Sequence, residues 1–169
     1  MATGNIVRIC SLREAVQLAH EWPADHVISL LESRGERSRM PLACNSHLKV
    51  NFDDIIQPRT DGEPGVVPGE EHIRQILEFA KKFQTGERVL VHCVAGVSRS
   101  PAVAIGVLCS LGWDIDKAFD YIQEIRPQLS PNEKVLEHFD NLLGLNGELL
   151  RKGLEFVNPL VVKLREMSG

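Results

Sequence analysis

The chain has 169 residues, enough for one domain with its own apolar core. Apolar residues make up 43% and charged residues 25%, and the formal charge of −4 leaves no basic footprint for nucleic acid or an anionic membrane. The longest clean apolar run, Ala102 to Cys109, is far too short to span a bilayer. The N-terminus has no basic segment followed by an apolar stretch, so no secretion signal is expected. Neither nucleic acid nor a membrane is therefore an expected partner. Cys10, Cys44, Cys93 and Cys109 are expected as reduced thiols in a cytoplasmic setting, one of them reactive. They form no CxxC pair and no cluster with histidine, so no metal or other cofactor is expected.

In chain order, residues 5–12 read as a short strand. Residues 13–22 set Ala15, Val16, Leu18 and Ala19 near helical spacing, with Ser11 available to cap and Pro23 to stop the helix. Residues 26–31 form a strand candidate, and the polar stretch 32–46, with Gly35 and Pro41, reads as a loop. Leu48, Val50 and Phe52 alternate with polar residues, a strand pattern that runs into Asp53 and Asp54. Residues 57–69 are rich in proline and glycine and read as a second loop. Ile73, Ile76, Leu77 and Ala80 predict a helix over 72–83, with Glu70 and Glu71 suited to its first turn.

Val89-Leu90-Val91 is a short strand, and Pro101 suits the first turn of a helix that runs to about Leu111. Residues 116–125 are amphipathic and end at Arg126-Pro127. Residues 130–132 read as the cap of a helix carrying Val135, Leu136, Phe139, Leu142 and Leu143. Leu154, Val157, Leu160, Val161 and Leu164 suggest a packed apolar stripe on a terminal helix, interrupted at Asn158-Pro159. Strands alternating with helices predict an α/β domain with a central, mostly parallel sheet of about four to five strands flanked by helices. Ligands of such sheets collect at the carboxyl ends of the strands.

His92 and Cys93 lie at such an end, and Arg99 follows Cys93 by six positions. A cysteine and an arginine at that spacing are a weak signal alone; the context strengthens it. An apolar strand precedes the pair, Gly96 permits a tight curl, and a helical pattern begins directly after Arg99. Together these gather the amides of Val94, Ala95, Gly96, Val97, Ser98 and Arg99 around one point, at the positive end of a helix. A phosphate dianion would be bound there by backbone N–H groups and the planar fork of Arg99. The same field favours a thiolate at Cys93. The Ser100 hydroxyl is placed to donate to that sulfur and later ease its departure. A preformed thiolate needs no base, so His92 is expected to orient the loop.

The segment HCVAGVSRS resembles the signature loop of the cysteine-dependent protein phosphatases, HC-x2-G-x2-R-S/T, and RSP followed by a helix is most similar to their dual-specificity branch. The resemblance runs over about residues 5–147 and includes VLVHC, the turn with GWD, and RPQLSPNEKVLEHFDNLL. It implies one phosphatase domain over 1–169, with a core of about 5–147 and a helical C-terminal extension over 148–169. It also implies Cys93 as nucleophile, Arg99 as phosphate ligand and transition-state stabiliser, and Ser100 as an aid to breakdown of a phosphocysteine. By the same resemblance, Asn132 would hydrogen-bond across to the phosphate loop; as a residue after Pro131 it reads equally as a helix N-cap.

Expelling an alkoxide or phenoxide needs a general acid. In the resembled family this is an aspartate on a loop after a strand, upstream of the cysteine. Asp54 fits the register set by Leu48, Val50 and Phe52, with Asp53 and Asp61 as alternatives. Residues 94–98 carry no lysine, so nothing in the loop favours a polyphosphorylated substrate, and a shallow pocket open to several phosphomonoesters, protein-borne or small, is expected. The alternatives are a phospho-binding protein without turnover, and a sulfur-transfer or arsenate-reducing protein with the same thiolate cradle.

Overall fold

A computed structural model of the chain describes residues 6–34, 42, 44 and 46–167. The first residue of the first expected strand, and Gly35 and Pro41 of the first expected loop, lie outside the described residues. Four strands, β1 (Ile6–Cys10), β2 (His26–Leu31), β3 (Ser46–Asn51) and β4 (Arg88–His92), form one sheet in the order β1-β4-β2-β3, with every pairing parallel. The helices are α1 (Leu12–Glu21), α2 (Glu70–Ala80), α3 (Arg99–Ser110), α4 (Ile115–Ile125), α5 (Glu133–Leu143), α6 (Glu148–Leu154) and α7 (Pro159–Met167).

The two-residue period of the strands sorts side chains to the two faces. Val7, Ile9, Ile28, Leu30, Val89 and Val91 pack with α2–α6 on one face. Cys10, Val27 and Leu90 pack with Ala15, Ala19 and Trp22 of α1 on the other. Covered on both sides, β4 needs no polar alternation, which is why its sequence is a plain apolar run. Ser11 caps α1 in a reciprocal capping box with Glu14.

α3 is buried along its length from Arg99 to Leu108 and forms the axis of the helical layer. A Cβ on Gly106 would sit 2.3 Å from Cγ of Phe139, so the missing side chain is what lets α5 approach α3. The expected apolar stripe near the C-terminus is not a packed face: Leu154, Leu160 and Leu164 are exposed, while Val157 and Val161 are half-buried. The cause is the break before Pro159, which starts a new helix and resets the rotational phase. Among the described residues, no helix is long and apolar enough to cross a membrane.

Candidate active site

β4 delivers His92 to the carboxyl edge of the sheet, and the chain curls through residues 93–98 before entering α3. Cys93 is 2% exposed. Its Sγ accepts a hydrogen bond from the Gly96 N–H at 3.1 Å and lies 3.2 Å from the Ser100 hydroxyl. One backbone hydrogen thus aims at the sulfur, and the Ser100 hydroxyl lies where it could donate a second to a thiolate. At Cys10, on the other face of the sheet, burial pushes the thiol up to about 12.

The loop's carbonyls account for its shape. Val94 O accepts from Leu12 N at 3.0 Å, Val97 O from Ser130 N at 2.7 Å, and Ser98 O from Asn132 N at 3.1 Å. Gly96 O and Ala95 O accept from Arg126, through Nε at 2.9 Å and Nη2 at 3.4 Å. Five successive carbonyls are therefore engaged by groups outside the loop. Among the described residues no peptide bond is cis, so each planar unit of the loop turns its N–H opposite its carbonyl. The amides of residues 95–99 are thereby directed away from these donors, and the Gly96 N–H is seen on Cys93 Sγ. Gly96 has φ +73°, and a Cβ there would meet Arg126 Nη2 and Ser11 N at 2.7 Å, so both conformation and space demand glycine.

Arg99 is 3% exposed and donates from Nη1 to Phe52 O at 2.7 Å, which locks the guanidinium to the end of β3. Its Nε is buried with no hydrogen-bond partner. A buried charged donor left unmet within the protein is costly unless a ligand meets it. His92 is 2% exposed, and burial holds its imidazole down to about 4, so it is neutral at physiological pH. Its Nε2 shares a hydrogen bond with the Ser29 hydroxyl at 2.5 Å, and Ser29 in turn meets His47 Nε2 at 2.7 Å. His92 is thus pinned within β4 by its neighbour β2.

The three candidate acids separate by environment. Asp53 is pushed up by burial, but hydrogen bonds from the Ser33 hydroxyl, the Val66 N–H and the Ser33 N–H, with the Arg99 charge, hold it below the ordinary carboxylate range. Its own N–H donates to Val66 O at 2.8 Å, so Asp53 ties the base of the 53–66 loop. Asp61 is exposed, pairs with Arg59 at 3.6 Å and accepts from Glu63 N. Asp54 faces the phosphate loop: its Oδ1 accepts from the Ser98 hydroxyl at 2.7 Å and from Asn132 Nδ2 at 2.9 Å. Asn132 Oδ1 meanwhile accepts from Val135 N at 3.1 Å, and its Nδ2 also reaches Ile55 O. The helix cap and the link to the site are one side chain, with each end of the amide engaged.

Cys93, Arg99, Asp53, Asp54 and loop residues Val94, Ala95, Val97 and Ser98 line one cleft of about 470 Å³, with Val161 and Leu164 of α7 at its wall. A larger hollow of about 840 Å³ between α2, α3 and α5 shares no residue with it and holds none of these groups. Four contributors escaped the sequence reading: Arg126, Glu14, Ser29 and His47. The S-x-x-E pattern of a capping box was legible at Ser11–Glu14, but nothing local ties either residue to a loop some eighty positions on. Among the described residues, no group of histidine, cysteine and carboxylate side chains could hold a metal ion.

Residues 67–141 match the family described as "Dual specificity phosphatase, catalytic domain". The chain is 41% identical over 81 residues to protein phosphatase Slingshot homolog 3 of Mus musculus, a match covering 47% of this chain and 12% of that protein. It is 30% identical over 109 residues to dual specificity protein phosphatase 5 of Homo sapiens, covering 63% of this chain and 26% of that protein. The chain thus spans a small part of the length of either relative. Its fold superposes on the crystal structure of human DUSP28 with a TM-score of 0.62, at 17% identity, over 85% of this chain and 95% of that one. Residues 67–141 are thus similar to the catalytic domain of dual-specificity phosphatases, and the chain shares the fold of human DUSP28.

Proposed function

We propose that this chain is a phosphomonoester hydrolase of the protein tyrosine and dual-specificity class, working through a phosphocysteine on Cys93. The observation that carries the reading is the cradle. Amides 95–99 are turned from their outside partners, and Arg99 has a buried, unmet Nε beside a sulfur that accepts from the Gly96 N–H and lies against the Ser100 hydroxyl. This suits a tetrahedral dianion in front of a thiolate.

Cys93 Sγ attacks phosphorus in line with the ester oxygen, the S–P bond forms as the P–O bond breaks, and Arg99 and the amides stabilise the spread equatorial charge. Asp54 protonates the departing oxygen. The Ser98 hydroxyl and Asn132 Nδ2 both donate to Oδ1 and so hold the carboxyl at the edge of the loop. The resulting carboxylate then takes a proton from the water that attacks the phosphocysteine, while the Ser100 hydroxyl stabilises the departing thiolate. His92 keeps the loop oriented and Asn132 holds Asp54 to it. The substrate is a phosphorylated protein or a small phosphomonoester. The unbridged thiols suit a reducing, cytoplasmic setting.

The test uses p-nitrophenyl phosphate with wild type and Cys93→Ser. Wild type turns it over and yields an acid-stable phosphoenzyme at Cys93 on rapid quench, while Cys93→Ser binds inorganic phosphate without turnover. Full activity in Cys93→Ser would sink the mechanism. Phosphate binding without turnover in wild type would leave a phospho-binding protein, and persulfide transfer without phosphatase activity a sulfur carrier.

A further inference from the structure

Arg126 and Glu14 belong to no step of the reaction above, yet they meet behind the phosphate loop. Glu14 is anchored by the Ser11 N–H at 2.6 Å and accepts from Arg126 through both oxygens, at 3.3 and 3.2 Å. The Ser11 hydrogen bonds come first, and with the Arg126 guanidinium they hold the Glu14 carboxyl down to about 2, so the pair is ionic at any physiological pH. The Arg126 side chain is 14% exposed, whereas Glu14 is 49% exposed. The fork of Arg126 continues past Glu14 to Gly96 O and Ala95 O.

The other three engaged carbonyls of the loop are held by backbone amides, of Leu12, Ser130 and Asn132. Ala95 and Gly96 are held by a side chain. Their peptide units carry the N–H groups of Gly96 and Val97, the first of which reaches the nucleophile. A rotation of either unit would turn a carbonyl oxygen toward the anion in place of an N–H. The glycine at this point has the freedom to allow such a flip.

We propose that Arg126, oriented by Glu14, is a positioning residue that sets the polarity of the phosphate loop: by clamping two carbonyls outward it keeps the Gly96 and Val97 amides turned on the thiolate and the bound phosphate. The role rests on the phosphatase reading. It acts on anion binding and on the thiolate together, and leaves proton donation by Asp54 untouched. Lysine cannot replace the fork, because a single ammonium does not present two fixed, coplanar donors.

The experiment compares wild type, Arg126→Ala, Arg126→Lys and Glu14→Gln. It measures orthovanadate inhibition, the pH dependence of iodoacetamide alkylation at Cys93 read by mass spectrometry, and kcat/KM for aryl and alkyl phosphates. Arg126→Ala is expected to weaken vanadate about 10-fold or more, the scale of a lost charged hydrogen bond. It should also move half-alkylation of Cys93 to higher pH and lower kcat/KM by the same factor for both substrate types. Arg126→Lys falls between, with about 3-fold weaker vanadate, and Glu14→Gln loses less still. A folded Arg126→Ala protein with wild-type vanadate affinity and alkylation profile overturns the proposal. If that variant does not fold, Arg126→Lys decides: wild-type behaviour overturns the clamp and the intermediate loss supports it. Failure of wild type itself to bind vanadate would instead refute the phosphatase reading.

Discussion

The phosphate loop and the acid loop meet across one cleft but are built in different ways. Cys93, Gly96 and Ser98 of the phosphate loop are buried, and the loop is held mostly through its own backbone, with successive carbonyls from Val94 to Ser98 engaged and Gly96 fitting where no other residue can. The acid loop is largely exposed between residues 56 and 67. Asp53 and Val66 tie its base, and on the cleft side Asp54 meets Ser98 and Asn132. The anion must find its donors already arranged, because reorganising them during reaction would return much of the stabilisation. In the proposed mechanism, the proton donor works under another constraint. It must reach leaving groups of varied shape, and side-chain hydrogen bonds permit that.

Substitutions across the cleft should therefore differ in kind. The largest loss is expected at Cys93: Cys93→Ser should show no measurable turnover while retaining phosphate binding by equilibrium dialysis. Asp54→Asn comes next, with a loss of about 10²–10³-fold on an alkyl phosphate, in the range of a general acid, and a much smaller one on a nitrophenyl ester that leaves without help. Equal losses on the two esters would remove Asp54 from the acid role. Asn132→Ala removes a cap and a tether together. About a 10-fold loss in kcat is expected, weighted toward poor leaving groups, with about 1 kcal/mol off the unfolding free energy in urea.

The last effect is on stability rather than activity, and pH separates the two loops. His92 is held at about 4, below its ordinary value of 6.5, so the folded protein keeps it neutral while the unfolded chain takes up a proton as pH falls. The stability it contributes is complete above about 6.5 and is lost progressively down to about 4, at most about 3 kcal/mol. Half-buried His47, pushed down by burial and then by Lys49, adds in the same direction. Asp53 is likewise depressed, but as a carboxylate its contribution is lost only at lower pH, below the usual carboxylate range. Urea midpoints measured from pH 7.5 down to about 2 should thus fall in two stages. His92→Asn should remove the first and Asp53→Asn the second; a wild-type midpoint flat from pH 7 to 4.5 would contradict the burial argument for His92.

Much of this site could be read before any coordinates because its parts are consecutive. Strand, cysteine, glycine, arginine and helix lie within residues 88–110, and one short segment enforces their mutual geometry. The alternation of Leu48, Val50 and Phe52 likewise located the strand that leads into Asp53 and Asp54, and the resemblance favoured Asp54 without removing Asp53 or Asp61. The terminal apolar stripe misled because a periodic pattern was read across a proline that restarts the helix.

The sequence by itself determined the α/β alternation and the run of strand, Cys93, Gly96, Arg99 and helix, and it gave a short list of candidate acids, since each follows from residues close along the chain. Only the tertiary structure decided that Asp53 is a tether and Asp54 faces the loop, that Asn132 is both cap and link, and that Ser29 pins His92 while Arg126 and Glu14 brace the loop from behind. These depend on parallel strand order and helix packing, which bring together residues tens of positions apart, and no local spacing encodes such contacts.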